Sequence, residues 1–189
     1  MFSNSKTQLA FLFCAVLFSS CSNKTVSQSE EQYMSSRYAE KAERPSPPAN
    51  TISKIGNAEV SLNYSQPSVR GREIWDELVP YDKIWRTGAN EATIFKTTST
   101  VIIEGDTVLS GKYSVFTVPS ENSWTVMINK KFDVWGAYDY DEKFDAARFD
   151  VVPVIVPEFE EKMIFTIDST GLVEFAWENL RFNFQVKTL

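Results

Sequence analysis

Histidine is absent from this chain of 189 residues. Without an imidazole there is no Ser-His-Asp triad, no Cys-His dyad, no imidazole zinc site and no imidazole switch near neutral pH. Cysteine is almost as scarce: Cys14 and Cys21 are the two, and both precede the part that reads as folded. A disulfide framework and a thiolate metal cluster are thereby excluded. An excess of positive charge is missing as well. With 19 Lys and Arg against 25 Asp and Glu, a net charge of -6, the chain lacks the basic field with which a general nucleic-acid binder neutralises phosphates. Long hydrophobic runs are missing too. The apolar stretch from Leu9 to Phe18 is about half the roughly twenty residues that cross a bilayer as a helix. What remains for chemistry is carboxylates, Lys, Arg, Tyr, hydroxyls or a hard cation held through oxygen; no cofactor and no metal site is expected.

The apolar stretch follows Lys6 and runs into Ser19-Ser20. A basic segment, a short apolar one and small residues before a processing point mark a secretory signal over residues 1–20. Leu17-Phe-Ser-Ser-Cys21 resembles the lipobox of bacterial lipoproteins, in which the cysteine is lipidated and becomes the mature N-terminus. An ordinary cleaved signal with an incidental cysteine is the plainer alternative. Lipidation of Cys21 implies a membrane partner and a cell-envelope location, periplasmic or at the cell surface. Several acyl chains hold stably where one is marginal, at ~0.8 kcal/mol per buried methylene. Residues 21–50 are polar and end in Arg44-Pro-Ser-Pro-Pro-Ala-Asn50. They read as a solvated tether stiffened by proline, or, around Glu30–Glu43, as a transient helix carrying Tyr33, Met34 and Tyr38. A folded domain is expected over 51–189.

Alternation with period two dominates from residue 55 onward. Leu180–Lys187 shows it best, with Phe182, Phe184 and Val186 on one face and Arg181, Asn183, Gln185 and Lys187 on the other. Met163–Asp168 and Leu172–Trp177 flank Ser169-Thr-Gly171 as a hairpin. Lys112–Val118 and Ser123–Asn129 form a second pair, and Val101–Ile103 turns through Glu104-Gly-Asp106 into Thr107–Leu109. Ala58–Tyr64, Ala92–Thr98 and Phe149–Val156 add further strands. Short strands with turn chemistry between them predict an all-β, antiparallel β-sandwich. Pro153 and Pro157 place their apolar run at an edge or a bulge, since proline cannot donate to a ladder. One short helical turn is expected at Arg72–Val79, where Ile74, Trp75 and Leu78 fall at helical spacing.

The stretch Leu78–Thr93 carries Tyr81, Trp85, Arg86, Gly88, Asn90 and Glu91 without a run of strand formers. Loops on a rigid scaffold are where binding residues concentrate. Arg86 offers a donor fork for carboxylate, sulfate or phosphate. Tyr81 and Trp85 offer faces that stack on planar groups, and Asn90 a donor and an acceptor. Arg70 and Arg72 lie near enough in sequence to supplement them. The structural alternative pairs Arg86 with Glu91, buries Trp85 in the core and leaves Gly88 to supply a positive φ. Trp135-Gly-Ala-Tyr138-Asp-Tyr140 is a second aromatic loop, suited equally to recognition and to a sandwich edge. Asp139, Asp141, Glu142, Asp145 and Asp150 invite a calcium reading. Phe144 and Asp150 stand where a calcium loop wants Gly and Glu, so a solvated acidic loop is expected instead. Glu73, Asp76, Glu77 and Glu91 are the carboxylates available for an acid and a base of the glycosidase kind.

Tyr64-Ser-Gln-Pro67, Arg70-Gly-Arg72, Leu78-Val-Pro-Tyr81, Trp85-Arg-Thr-Gly-Ala-Asn-Glu-Ala-Thr93, Gly111-Lys-Tyr-Ser114 and Trp135-Gly-Ala-Tyr138 form a set. Through it the chain from Tyr64 to about Tyr140 resembles an uncharacterised bacterial family, the domain of unknown function 2911. Gln66 and Asp82 stand where that pattern more usually carries Arg and Gly. The resemblance implies a secreted or lipid-anchored protein and carries no established activity. The residues themselves point to a ligand-binding or accessory module of the envelope. Its small-molecule, glycan or peptide ligand would meet Tyr81, Trp85, Arg86, Asn90, Glu91, Trp135 and Tyr138. A carboxylate-based hydrolase is one alternative. A structural protein that packs on envelope partners through an exposed sheet edge is the other.

Overall fold

In a computed structural model that describes residues 44–189, the alternating segments pair as antiparallel strands in two sheets. The signal segment, Cys21 and most of the expected tether lie outside the described residues. The strands are β1 (Pro48–Ile55), β2 (Ala58–Ser65), β3 (Thr93–Thr97), β4 (Val101–Ile103), β5 (Asp106–Val108), β6 (Gly111–Val118), β7 (Trp124–Asn129), β8 (Asp145–Val151), β9 (Val154–Ile167) and β10 (Leu172–Thr188). One sheet has the order β1-β2-β3-β6-β7-β8, the other β5-β4-β10-β9. Val60, Leu62, Phe95, Val115 and Val126 of the first and Ile103, Phe165, Val173, Phe175 and Phe182 of the second share one buried cluster. Two sheets closing on a common core make a β-sandwich.

The expected hairpins β4–β5, β6–β7 and β9–β10 are all present. β1 begins inside the stretch expected to be tether, with Pro48, Ala49 and Asn50 opposite Ser65, Tyr64 and Asn63 of β2. Gly56-Asn57 turns the chain between them, Gly56 at φ 56°. A Gly-Asn pair between strands is a hairpin signal, but β1 is an edge strand and only partly buried, so its apolar alternation is weak.

Two segments read as separate strands are one. β10 carries Leu172–Trp177 and Leu180–Lys187 in a single strand, joined by a bulge whose register shifts on both sides of Glu178. Glu178 sits at φ 55°. Val173, Phe175 and Trp177 face inward before the bulge, and Leu180, Phe182, Phe184 and Val186 after it. Odd positions hand over to even ones because an extra residue in a strand flips the side-chain parity.

Conversely, the strand expected over Phe149–Val156 is two. β8 ends at Val151 on one edge of the six-stranded sheet, and β9 starts at Val154 on the edge of the four-stranded one. Pro153 lies at that crossover, and Pro157 lies in β9, where an edge strand tolerates the missing N–H. The helical turn expected at Arg72–Val79 is not helical. The Val79 N–H donates to Ile74 O at 2.8 Å and the Asp76 N–H to Val79 O at 3.0 Å. Asp76 holds φ 66°, a left-handed conformation that a right-handed helix cannot contain. Ile74 and Val79 are buried while Leu78 is exposed. The helical element among the described residues is a 3-10 turn at Glu142–Phe144.

Candidate functional site

Residues 66–92 carry the chain from β2 to β3 and are laced to both sheets. Ser68 bridges Lys162 of β9, and Trp85 bridges Thr117 of β6. The Ala89 N–H donates to Ser65 O at 3.2 Å and the Asp82 N–H to Pro119 O at 2.8 Å. Buried threonines tie the path from within: Thr93 Oγ1 donates to Thr87 O at 2.6 Å, and the Thr87 and Thr117 hydroxyls meet at 3.1 Å. These threonines do not stand out in the sequence, because a hydroxyl carries no periodic signal of the partner it meets in the fold.

Arg70, Asp76, Asp82, Thr87 and Asn90 all hold positive φ. Each such non-glycine residue costs ~1–3 kcal/mol and persists only where its surroundings over-determine it. Asp82 is among them, which explains why a glycine suits that position. Gly88 is not, so the expected positive φ there is a correction. A Cβ at Gly88 would lie 3.1 Å from Thr93 Oγ1 and 3.2 Å from Ser65 O; close approach of the loop to β2 and β3 is what demands glycine.

Trp85 belongs to the core. Its ring stacks on Trp177 at 6.0 Å and meets Trp75, Trp124 and Phe175 edge-to-face. Its indole N–H donates to Gly88 O at 3.0 Å. Its backbone exchanges two bonds with Thr117, of 2.7 and 2.9 Å. Trp75, Trp124 and Trp177 bury indole N–H groups that no described residue accepts.

Above this cluster opens a cleft of about 430 Å³, lined by Ser46, Pro67, Arg72, Leu78, Val79, Pro80, Lys83, Ile84, Trp85, Arg86, Gly88, Ala89, Asn90 and Trp177. Among the described residues its walls carry three cations and no carboxylate, in a chain whose net charge is -6. Arg72 spends two donors on the carbonyls of Val69 and Ser68. Lys83 is exposed, whereas Arg86 is partly buried. Its Nε is buried without an acceptor, and no described residue accepts a hydrogen bond from its guanidinium. Burial lowers its affinity for its proton, opposed by the nearby Tyr138 and Glu91. The expected Arg86–Glu91 pair is absent. Glu91 instead pairs with Arg44, Nη1 to Oε1 at 3.2 Å.

The two aromatic loops do come together. Glu91 bridges Trp135, the Ala92 N–H donates to Val134 O at 3.0 Å, and the Gly136 N–H to Asn90 O at 3.2 Å. Trp135 and Tyr138 are exposed and stand outside the cleft walls. Tyr81 also lies outside them, its phenol pushed up by burial and then by Asp76, Glu121 and Glu178. Arg70 gives Nη2 to Pro45 O at 3.0 Å. Glu73, Asp76, Glu77 and Glu91 are likewise absent from the cleft walls.

The acidic loop is satisfied by its own protein. Asn129 Nδ2 donates to Asp145 Oδ1 at 2.8 Å, Lys143 pairs with Asp141 at 2.7 Å, and Thr125 Oγ1 donates to Asp150 at 2.7 Å. Asp139 and Glu142 are exposed. Tyr140 Oη donates to Asp145 Oδ2 at 2.8 Å and accepts from Arg148 at 3.0 Å. Burial first, then the bond to Asp145, push its phenol up to about 12. The unfolded value is ~10, so the folded state favours the protonated phenol. Its contribution is whole below about pH 10 and is lost as the pH rises to about 12. Urea melts across that window are expected to show falling stability, with a shallower fall in Tyr140→Phe; an equal slope in both proteins would contradict this.

Neither a curated protein nor a solved structure matches the chain. The model of one family does, over residues 46–186, which extends the resemblance from the middle of the chain to nearly all of the sandwich. The strained connection, its buried threonines and the cleft all fall within that match, and the chain belongs to the family described as "Protein of unknown function (DUF2911)".

Proposed function

We propose that this protein is a ligand-binding module, held at the cell envelope through lipid on Cys21, whose cleft takes an anionic group carried on an apolar body. A small organic acid, an acidic glycan or a peptide carboxylate presents such a group. The observation that carries the reading is Arg86, a half-buried guanidinium to which no described residue offers an acceptor. A buried charge without a partner is costly. A ligand oxyanion supplies the missing acceptors in a bidentate pair. Leu78, Ile84, Trp85 and Trp177 in the same walls suit the apolar body. Binding is favoured over hydrolysis because none of the carboxylates available for acid-base work lines the cleft.

Calorimetric titration of phenyl phosphate and benzoate into the full chain in detergent tests this. One-site saturable binding that weakens with salt is expected, with none for phenol. Failure of both anions to bind would sink the proposal. Metabolic labelling with a palmitate analogue tests the anchor, and Cys21→Ser is expected to abolish it.

A further inference from the structure

We propose that the loop of residues 130–140 faces the membrane, with Phe132, Trp135 and Tyr138 seated at the headgroup boundary of the bilayer that holds the protein. This rests on the lipid anchor proposed above. The loop covers the face of β6 and β7 that is turned away from the sandwich core, and it divides its apolar residues between two tasks. Val134, Ala137 and Tyr140 pack inward on a small second core of Ala92, Phe116 and Met127. Phe132, Trp135 and Tyr138 are left 46%, 56% and 87% exposed. The loop is thus held down without them, and three large rings within seven residues stay in water. Single exposed apolar residues are ordinary, whereas a group of them marks a contact surface.

The same loop adjoins the point where the chain leading from Cys21 enters the domain. Arg44 Nη1 donates to Glu91 Oε1 at 3.2 Å, and Glu91 bridges Trp135. Asn90 Nδ2 donates to Ser46 O at 3.2 Å and the Gln66 N–H to Pro47 O at 2.8 Å, which fixes residues 44–47 on this side of the domain. An anchor on Cys21 therefore pulls on the domain at the corner that carries the exposed rings. Trp and Tyr favour a headgroup boundary because an apolar body meets a polar tip. Charge does not supply the attraction. Lys130, Lys131 and Lys143 are offset by Asp133, Asp139, Asp141 and Glu142, and Lys143 is paired with Asp141 at 2.7 Å. The surface suits a zwitterionic lipid, unlike a polybasic segment, which needs anionic headgroups.

The test uses the full chain isolated from membranes and returned to vesicles of dioleoylphosphatidylcholine, with or without a dibrominated phosphatidylcholine that quenches tryptophan on contact. Trp135 is the one exposed tryptophan among the described residues, since Trp75, Trp85, Trp124 and Trp177 pack against one another. Brominated vesicles are expected to dim the emission of the unmodified protein and to leave that of Trp135→Phe unchanged. In Phe132→Ser/Tyr138→Ser the balance between seated and lifted loop is expected to shift by about tenfold, equivalent to ~1.4 kcal/mol, and quenching to fall with it. Quenching that needs phosphatidylglycerol, or that disappears in salt, would overturn the proposal in favour of charge attraction. Undiminished quenching in Trp135→Phe would overturn it as well. Protein that floats with the vesicles yet emits equally in both lipids sinks the surface and keeps the anchor. Quenching in protein that carries no lipid on Cys21 sinks the anchor and keeps the surface. Protein that does not float sinks both.

Discussion

Trp85→Ala is expected to lower the stability of the domain by about 3–5 kcal/mol, the cost of emptying a large aromatic site in a packed core. At ~2–4 °C per kcal/mol for a domain of this size, the melting midpoint followed by circular dichroism should fall by about 6–20 °C. The residue is 8% exposed and touches three other tryptophans and Phe175. Its indole bond to Gly88 O also fixes the loop that presents Arg86, so anion binding is expected to suffer along with folding. A midpoint left unchanged, with binding lost, would return Trp85 to the role of a stacking face for ligand.

Arg86→Met is expected to do the opposite. Methionine fills a similar volume without a charge, so the desolvated guanidinium and its unpaired Nε disappear. Removing a buried donor that lacks an acceptor relieves a cost of about 1–3 kcal/mol, and the midpoint should hold or rise by a few degrees. Phenyl phosphate affinity should fall by about 100-fold, since a charge-assisted fork at a half-buried site is worth ~2–5 kcal/mol. A large drop in midpoint would instead identify Arg86 as scaffolding, as it would be if it were the partner of Glu91. The two variants together separate framework from site. One side chain of the Trp85-Arg86 pair supports the fold and its neighbour burdens it, the pattern expected where stability has been traded for a binding group.

Much of the candidate site was visible in the chain as a block. Tyr81, Trp85, Arg86, Asn90 and Glu91 stood out because charged, aromatic and amide groups were crowded into a connection without strand formers. Their division of labour was not visible. Trp85 went to the core, Asn90 to Ser46 O, Glu91 to Arg44 and Tyr81 to an acidic neighbourhood, while Arg86 Nε meets no acceptor among the described residues. Trp135 and Tyr138 were placed beside the connection, as supposed, but outside the cleft.

The sequence by itself determined the all-β class, three of the hairpins and their turns, and the placement of prolines at an edge. These follow from period-two alternation and turn chemistry, which are local and need no knowledge of distant residues. Only the tertiary structure decided three further things. The bulge at Glu178 merged two apparent strands, because parity is set by what the inner face must cover. Asp76 broke the helical spacing of Arg72–Val79, because burying Ile74 and Val79 outweighed the local pattern. Glu91 took Arg44 in place of Arg86, a partner 47 residues away; ion pairing is set by proximity in the folded chain, and nothing in the spacing of charges along it reveals which cation arrives first.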